Sequence, residues 1–219
     1  MKDIPIFTTP MGTASLILRE IPYQKTAYVR IRSVLPGGMG ETLSDCRTFC
    51  LQAGAERVLV TADEPLELPH AHDMLELARP KAGLPALDEP VPLEPLTQTN
   101  APQYQSIYNR LFTDLPNAAT CHGSELTRLL SSAGAFLALL DGKPAGIGET
   151  DGSKLRTVGV LPEHRGLGRR LTLTLLERLE GPDLFLNVAS SNRRAVKLYH
   201  SLGFREHRLL SRWYRLTGQ

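Results

Sequence analysis

The segment Val158-Gly159-Val160-Leu161-Pro162-Glu163-His164-Arg165-Gly166-Leu167-Gly168-Arg169-Arg170 reads as a strand that passes through a glycine-rich turn into an apolar helix. Such a junction is suited to anions. The first backbone N–H groups of a helix have no intrahelical acceptor and lie at the positive end of its dipole, and glycines let a phosphate approach the backbone closely. Arg165, Arg169 and Arg170 add charge that suits a pyrophosphate. Taken alone, the same residues also describe an ordinary strand-to-helix connection with a solvated basic face.

Working outward from this turn, the pattern is α/β with a hairpin-rich first half. Ala101 to Leu115 and Ser124 to Ser132 read as helices, the second capped by Ser124 and ending before Gly134. Ala135 to Leu140 and Pro144 to Thr150 flank Asp141-Gly142, a hairpin signal, and Asp151-Gly152 leads to a strand at Lys154 to Leu161. Beyond the turn come a helix to about Glu180, a strand at Leu184 to Val188, a helix from Asn192 to Leu202 and a last strand near Arg208 to Arg215.

The second informative segment is Asn187-Val188-Ala189-Ser190-Ser191-Asn192-Arg193-Arg194-Ala195-Val196-Lys197-Leu198-Tyr199-His200-Ser201-Leu202-Gly203-Phe204. Helical spacing places Ala195, Leu198, Tyr199 and Leu202 on neighbouring turns, so that one face packs while Tyr199 looks into a cleft, and Gly203 is a helix stop. Without the preceding turn, Tyr199 would read as an amphipathic core tyrosine. With Asn192 at a helix start, Leu198-Tyr199 and Leu202-Gly203-Phe204, this segment resembles the signature that ends the GNAT acetyltransferase fold, and the Val-x-Pro-x-x-Arg-Gly-x-Gly turn stands upstream of it as it does in that superfamily. The resemblance covers roughly Val91 to Leu216, with its sharp motifs confined to Val158 to Phe204.

That resemblance implies a mixed, largely antiparallel sheet flanked by helices over residues 91–219. It implies acetyl-CoA as cofactor, with Arg165, Gly166, Leu167, Gly168, Arg169 and Arg170 around the pyrophosphate. Val158, Gly159 and Val160 would pair with the pantetheine amides like an added strand. Asn192 would help hold the pantetheine or acetyl end, and Tyr199 would donate a proton to the departing CoA thiolate. The implied activity is that of an N-acetyltransferase, an acyltransferase of EC class 2.3.1, moving the acetyl group to a primary amine of a small molecule or peptide. Transfer of a longer acyl group, or a non-catalytic acyl-CoA sensor, are the alternatives.

The chain departs from the family pattern at several places. Arg170 stands where the turn usually closes with glycine or alanine. Asn187 occupies a place where relatives acting on ribosomal-protein N-termini often carry glutamate, and Ala189 one where they often carry arginine, which speaks against that substrate. Asn187 cannot be a general base. Glu149, near the end of the hairpin strand, is a substitute candidate, although it reads first as an exposed turn carboxylate.

With 42% apolar residues, the chain of 219 can build a real core. Its 25 Lys and Arg against 23 Asp and Glu, net +2, supply no general drive toward nucleic acid or membrane, and no aromatic residues interleave the arginine cluster as single-strand binding would require. No apolar run approaches the ~20 residues that span a bilayer, the start lacks a signal-peptide apolar stretch, and three cysteines do not make a disulfide framework. A cytoplasmic protein is expected, with no metal. Cys46 and Cys50 read as small core residues. His70, His72 and Asp73 lie in a loop-like, proline-rich stretch and read as a solvent-facing helix cap rather than metal ligands. The final strand could pair with a second copy, giving a homodimer.

Prolines at 80, 85, 90, 92 and 95 mark a linker, taken as residues 80–90, after an N-terminal α/β half-domain at 1–79. Compared with itself at an offset of 126 residues, the chain aligns Val34-Leu35-Pro36 with Val160-Leu161-Pro162, Gly40 with Gly166, and Val58-Leu59-Val60 with Leu184-Phe185-Leu186. The half-domain is thus either a degenerate GNAT repeat or an unrelated α/β unit. Met39 and Thr42 replace Arg165 and Gly168 there, so a structural role is expected for it.

Overall fold

A computed structural model describes residues 1–217; the last two residues of the expected 91–219 domain lie outside the described residues. The chain forms two compact units. The first contains β1 (Ile4–Thr8), β2 (Gly12–Ile17), α1 (Ile21–Gln24), β3 (Thr26–Val34), α2 (Met39–Gln52) and β4 (Arg57–Thr61), together with the beginning of β5 (His70–Pro80). The second holds the rest of β5, then β6 (Leu93–Pro95), α3 (Ala101–Phe112), α4 (Ser124–Leu130), β7 (Ala135–Leu140), β8 (Lys143–Asp151), β9 (Lys154–Val160), α5 (Leu167–Glu177), β10 (Asp183–Ala189) up to Val188, and α6 (Arg193–Ser201). The final strand β11 (Arg205–Arg215) begins in the second unit, and from Leu209 onward its residues belong to the first.

In the second unit β6, β7, β8, β9 and β10 lie side by side in that order, antiparallel except for the parallel pair β9 and β10. Two apolar layers sandwich this sheet. One joins Leu171, Leu175 and Leu176 of α5 to Leu184, Leu186 and Phe204; the other joins Tyr104, Ile107 and Tyr108 of α3 and Leu129 of α4 to Leu137 and Ile147. The layers explain two glycines of β8. A Cβ on Gly148 would lie 2.6 Å from the Leu175 side chain, and one on Gly146 would lie 2.4 Å from the Gly159 carbonyl oxygen.

The first unit orders β1, β2, β3 and β4, with Tyr214 of β11 opposite Val60, and α2 packs Leu43, Cys46 and Cys50 against Ala14, Leu16, Val29 and Val60. Cys46 and Cys50 are core residues as expected. Burial pushes their thiols up to about 12 and about 11, which keeps them protonated and unreactive. The offset seen in the sequence returns in the strand register. Tyr28 faces Leu59 and Val29 faces Val60 in the parallel pair β3 and β4; Lys154 faces Phe185 and Leu155 faces Leu186 in β9 and β10. Each residue stands 126 positions beyond its counterpart (154 − 28 and 185 − 59).

Several expectations need correction. The division between units falls at Met74 and Leu75 rather than after residue 79. The proline-rich 80–90 stretch belongs to the second unit, where Leu84, Leu87 and Val91 pack on its core and the Lys81 N–H donates to the Pro182 carbonyl. His70, His72 and Asp73 lie in a strand, not at a helix cap, because Pro69 and Pro80 bracket an extended segment instead of interrupting it. His72 is buried and stacked on Trp213, while Asp73 accepts from His70 and Arg212. Among the described residues no cluster of three or more His, Cys, Asp or Glu is arranged for a metal, and no helix is long and apolar enough to cross a membrane. The helix of Ala101 ends at Phe112, and Gly123, not Ser124, occupies the N-cap of α4.

The packing of β8 makes a prediction. Gly146→Ala should lower the unfolding free energy by roughly 1–3 kcal/mol in urea melts, the cost of overpacking a filled core. Gly40→Ala, in α2 with nothing within 4 Å of the added methyl, should be neutral or stabilise by roughly 0.5–1 kcal/mol.

Candidate active site

β9 and β10 pair only at Lys154–Phe185 and Leu155–Leu186, and then separate. The reason lies on the other edge of β9. Its register with β8 shifts between Glu149–Thr157 and Thr150–Leu155, leaving Arg156 as the extra residue of a bulge, and a bulge bends its strand. Beyond Arg156 the N–H of Leu161 donates to Ala145 of the β8 side. Strand alternation therefore turns the N–H and C=O of Val158 and Val160 toward the opening left by β10.

The opening is a cavity of about 360 Å³. Val158, Gly159 and Val160 form one wall, and Leu111, Phe112 and Leu115 another. Gly166, Gly168, Arg169, Asn192, Arg194 and Tyr199 belong to the same lining. Gly166 caps α5 with φ 103°, a left-handed conformation that favours glycine, and a Cβ on Gly166 or Gly168 would meet nothing within 4 Å. The free N–H groups of the first turn of α5 thus face open space, with no acidic side chain in that turn to offset them. This is a cradle for a phosphorylated ligand, and the extended strand edge beside it fits a chain of amides.

The residues picked out in the sequence divide accordingly. Val158, Gly159, Val160, Gly166, Gly168, Arg169, Asn192 and Tyr199 converge on the cavity. Leu167 sends its side chain into the core and does not line the cavity. Arg165 is exposed at the turn and does not line the cavity. Arg170 turns away from it, its Nη1 lying 3.0 Å from Glu89, so it neither crowds nor lines the phosphate cradle. Arg169 donates to Ser201 Oγ at 3.1 Å. Asn192 Oδ1 accepts from the Ala195 N–H at 3.2 Å, so it is the N-cap of α6 as well as part of the wall. Tyr199 is buried with its ring edge-on to Phe204 at 6.1 Å, and burial pushes its phenol up to about 12. At neutral pH it holds its proton.

Glu149 corrects the sequence reading. It is not an exposed turn carboxylate but a buried one, paired across the strands with Thr157 and bound by Arg128 of α4 at 2.7 Å. The sequence carried no sign of this because a carboxylate near a hairpin end looks solvated until the helix that covers it is placed. Arg128 also donates to Glu125 at 2.7 Å, and its hydrogen bonds to Glu125 and then Glu149 hold its pKa above the ordinary arginine value. Tyr104 was missed as well: burial first, then the charge of Glu149, raises its phenol above the usual tyrosine range.

Residues 133–214 match the family model of FR47-like proteins. The N-alpha-acetyltransferase RimI of Mycobacterium tuberculosis is 40% identical over 67 residues, 30% of this chain and 42% of that protein. Over its C-terminal part the chain is similar to the GNAT acetyltransferases. The fold also has solved counterparts. A functionally unknown conserved protein from Staphylococcus epidermidis superposes with a TM-score of 0.59 at 13% identity, covering 95% of this chain and 91% of that one. A tandem GNAT protein from the clavulanic acid biosynthesis pathway gives 0.53 at 20% identity, over 95% and 80%. At these identities the likeness is one of fold. The chain spans less than half of the curated relative it matches.

The cap on α6 is open to test. Asn192→Ala should lower the unfolding free energy by ~1 kcal/mol in urea melts, whereas Asn192→Asp, which keeps the accepting oxygen, should leave it nearly unchanged.

Proposed function

We propose that this protein is an N-acetyltransferase that moves the acetyl group of acetyl-CoA to a primary amine of a small molecule or peptide. The observation that carries this reading is the juxtaposition of an unpaired strand edge at Val158 and Val160 with the bare N-terminus of α5. The first turn of α5 and Arg169 would hold the pyrophosphate, with Arg165 able to reach it from the turn. Val158 and Val160 would receive the pantetheine amides. Bound acetyl-CoA supplies an acetyl group activated as a thioester. When the neutral amine attacks that carbonyl, the C–N bond forms as the C–S bond breaks. Tyr199, protonated in its apolar setting, then hands its proton to the sulfur, and the proton shed by the acylated nitrogen restores the phenol. Strand N–H groups facing the opening are placed to meet charge growing on the carbonyl oxygen.

The first unit is read here as a degenerate copy of the same fold, supported by the shared register of its parallel pair. Its α2 opens with Met39, Gly40 and Glu41, and an acidic first turn opposes a phosphate. One cofactor per chain is expected.

Calorimetric titration with acetyl-CoA should give a single site per chain, weakened about tenfold in Arg169→Ala, the size of one charge-assisted hydrogen bond, and less in Arg165→Ala. Tyr199→Phe should keep that affinity but slow thiol release with primary amines by about 100-fold or more. A folded wild-type protein that does not bind acetyl-CoA contradicts the proposal, and binding without thiol release from any amine favours a sensor.

A further inference from the structure

The face of β8 and β9 covered by α3 and α4 carries a charged cluster that the acetyl-transfer reading leaves without a task. Glu149 is buried, its side chain 3% exposed, whereas Arg128, the cation that neutralises it, is 46% exposed. Arg128 Nη1 lies 2.7 Å from Glu149 Oε1 and Nη2 lies 2.7 Å from Glu125 Oε1. Two carboxylates therefore share one guanidinium. Thr157 donates to the other oxygen of Glu149 at 3.2 Å. A second observation does not involve these pairings. The hydroxyl of Tyr104 is fully buried and has no hydrogen-bond partner among the described residues, and after burial it is the charge of Glu149 that raises its phenol, opposed by that of Arg128. A buried polar atom left in this way is uncommon in a folded protein and marks a place where a ligand group or water belongs. Thr157 precedes Val158, and Tyr108 of α3 packs its ring 4.8 Å from Phe112; Val158 and Phe112 both line the opening.

We propose that Glu149 is the carboxylate that recognises the acceptor and that Arg128 is its displaceable resident cation, so that the acceptor carries a positive charge besides the amine that is acetylated. The proposal rests on the transferase reading above. A buried carboxylate requires a partner, and removing its cation without replacement is strongly unfavourable. Arg128 can swing toward water and keep Glu125, an exposed pair whose loss or gain matters little. An incoming ammonium then takes its place against Glu149. A short aliphatic diamine has this chemistry. A monoamine cannot both present its neutral nitrogen to the cleft and neutralise Glu149.

The test compares 1,4-diaminobutane with 1-aminobutane on the full chain, reading KM from thiol release and, separately, the melting temperature with diamine alone. The diamine should show a KM at least about tenfold lower, and it alone should raise Tm. Both effects should vanish in Glu149→Gln and shrink in Thr157→Val, with acetyl-CoA affinity as the check that each variant is folded. Arg128→Ala should keep or lower the diamine KM. Equal KM values in the wild type, a preference that survives Glu149→Gln, or a diamine KM raised by Arg128→Ala would overturn the proposal, the last showing that Arg128 is a structural clasp. If neither amine releases thiol, the Tm shift alone decides the cation site, and no shift, or one that persists in Glu149→Gln, overturns the proposal; the transferase reading is decided separately by acetyl-CoA binding and by release with other amines.

Discussion

The bulge at Arg156 is the constraint on which the site depends. Two parallel strands that begin in register at Lys154–Phe185 would ordinarily satisfy each other to their ends, and nothing could enter between them. One extra residue on β9, placed against β8 at the level where the pairing stops, bends the strand away and leaves the polar edge of Val158 and Val160 facing a cavity. An unpaired edge inside a domain has a cost that only a ligand or solvent can offset. The opening is therefore a binding feature built into the sheet and not a loop added to it.

The same bend fixes the direction of the ligand. The strand runs from the closed vertex at Leu155 toward the turn at Pro162–His164 and the N-terminus of α5. On the function proposed, a phosphate end would lie at the helix and an acyl end near the vertex. Thr157 and Glu149 stand near that vertex on the face covered by α3 and α4. Tyr199, whose proton is retained by burial, looks into the cavity from α6. The apolar cores on either face of the sheet hold these pieces with glycines at Gly146 and Gly148, where helix α5 and the neighbouring strand leave no room for a side chain.

Much of this was legible in the sequence because it rests on local chemistry. The turn from Val158 to Arg170 announces a strand, a positive-φ glycine and a helix start in residue types that need no tertiary context, and Asn192 announces its own cap. The hairpins at Asp141-Gly142 and Asp151-Gly152 were equally local. What escaped was set by distant neighbours. Arg170 looked like a phosphate ligand until Glu89, far away in the chain, claimed it. Glu149 looked exposed until Arg128 and Thr157 enclosed it. The stretch from His70 looked like a loop because its prolines were counted, whereas their position at the strand ends is what matters. The proline-rich stretch after Pro80 looked like a linker, yet its leucines are held in the core of the second unit.

Hydrogen exchange of the backbone amides of Val158 and Val160, followed with and without acetyl-CoA, tests the central claim most directly. If the cofactor docks along the edge opened by the bulge, both amides slow markedly on addition, while amides already paired between β7 and β8 change little. Unchanged exchange at Val158 and Val160 under saturating acetyl-CoA would contradict that claim.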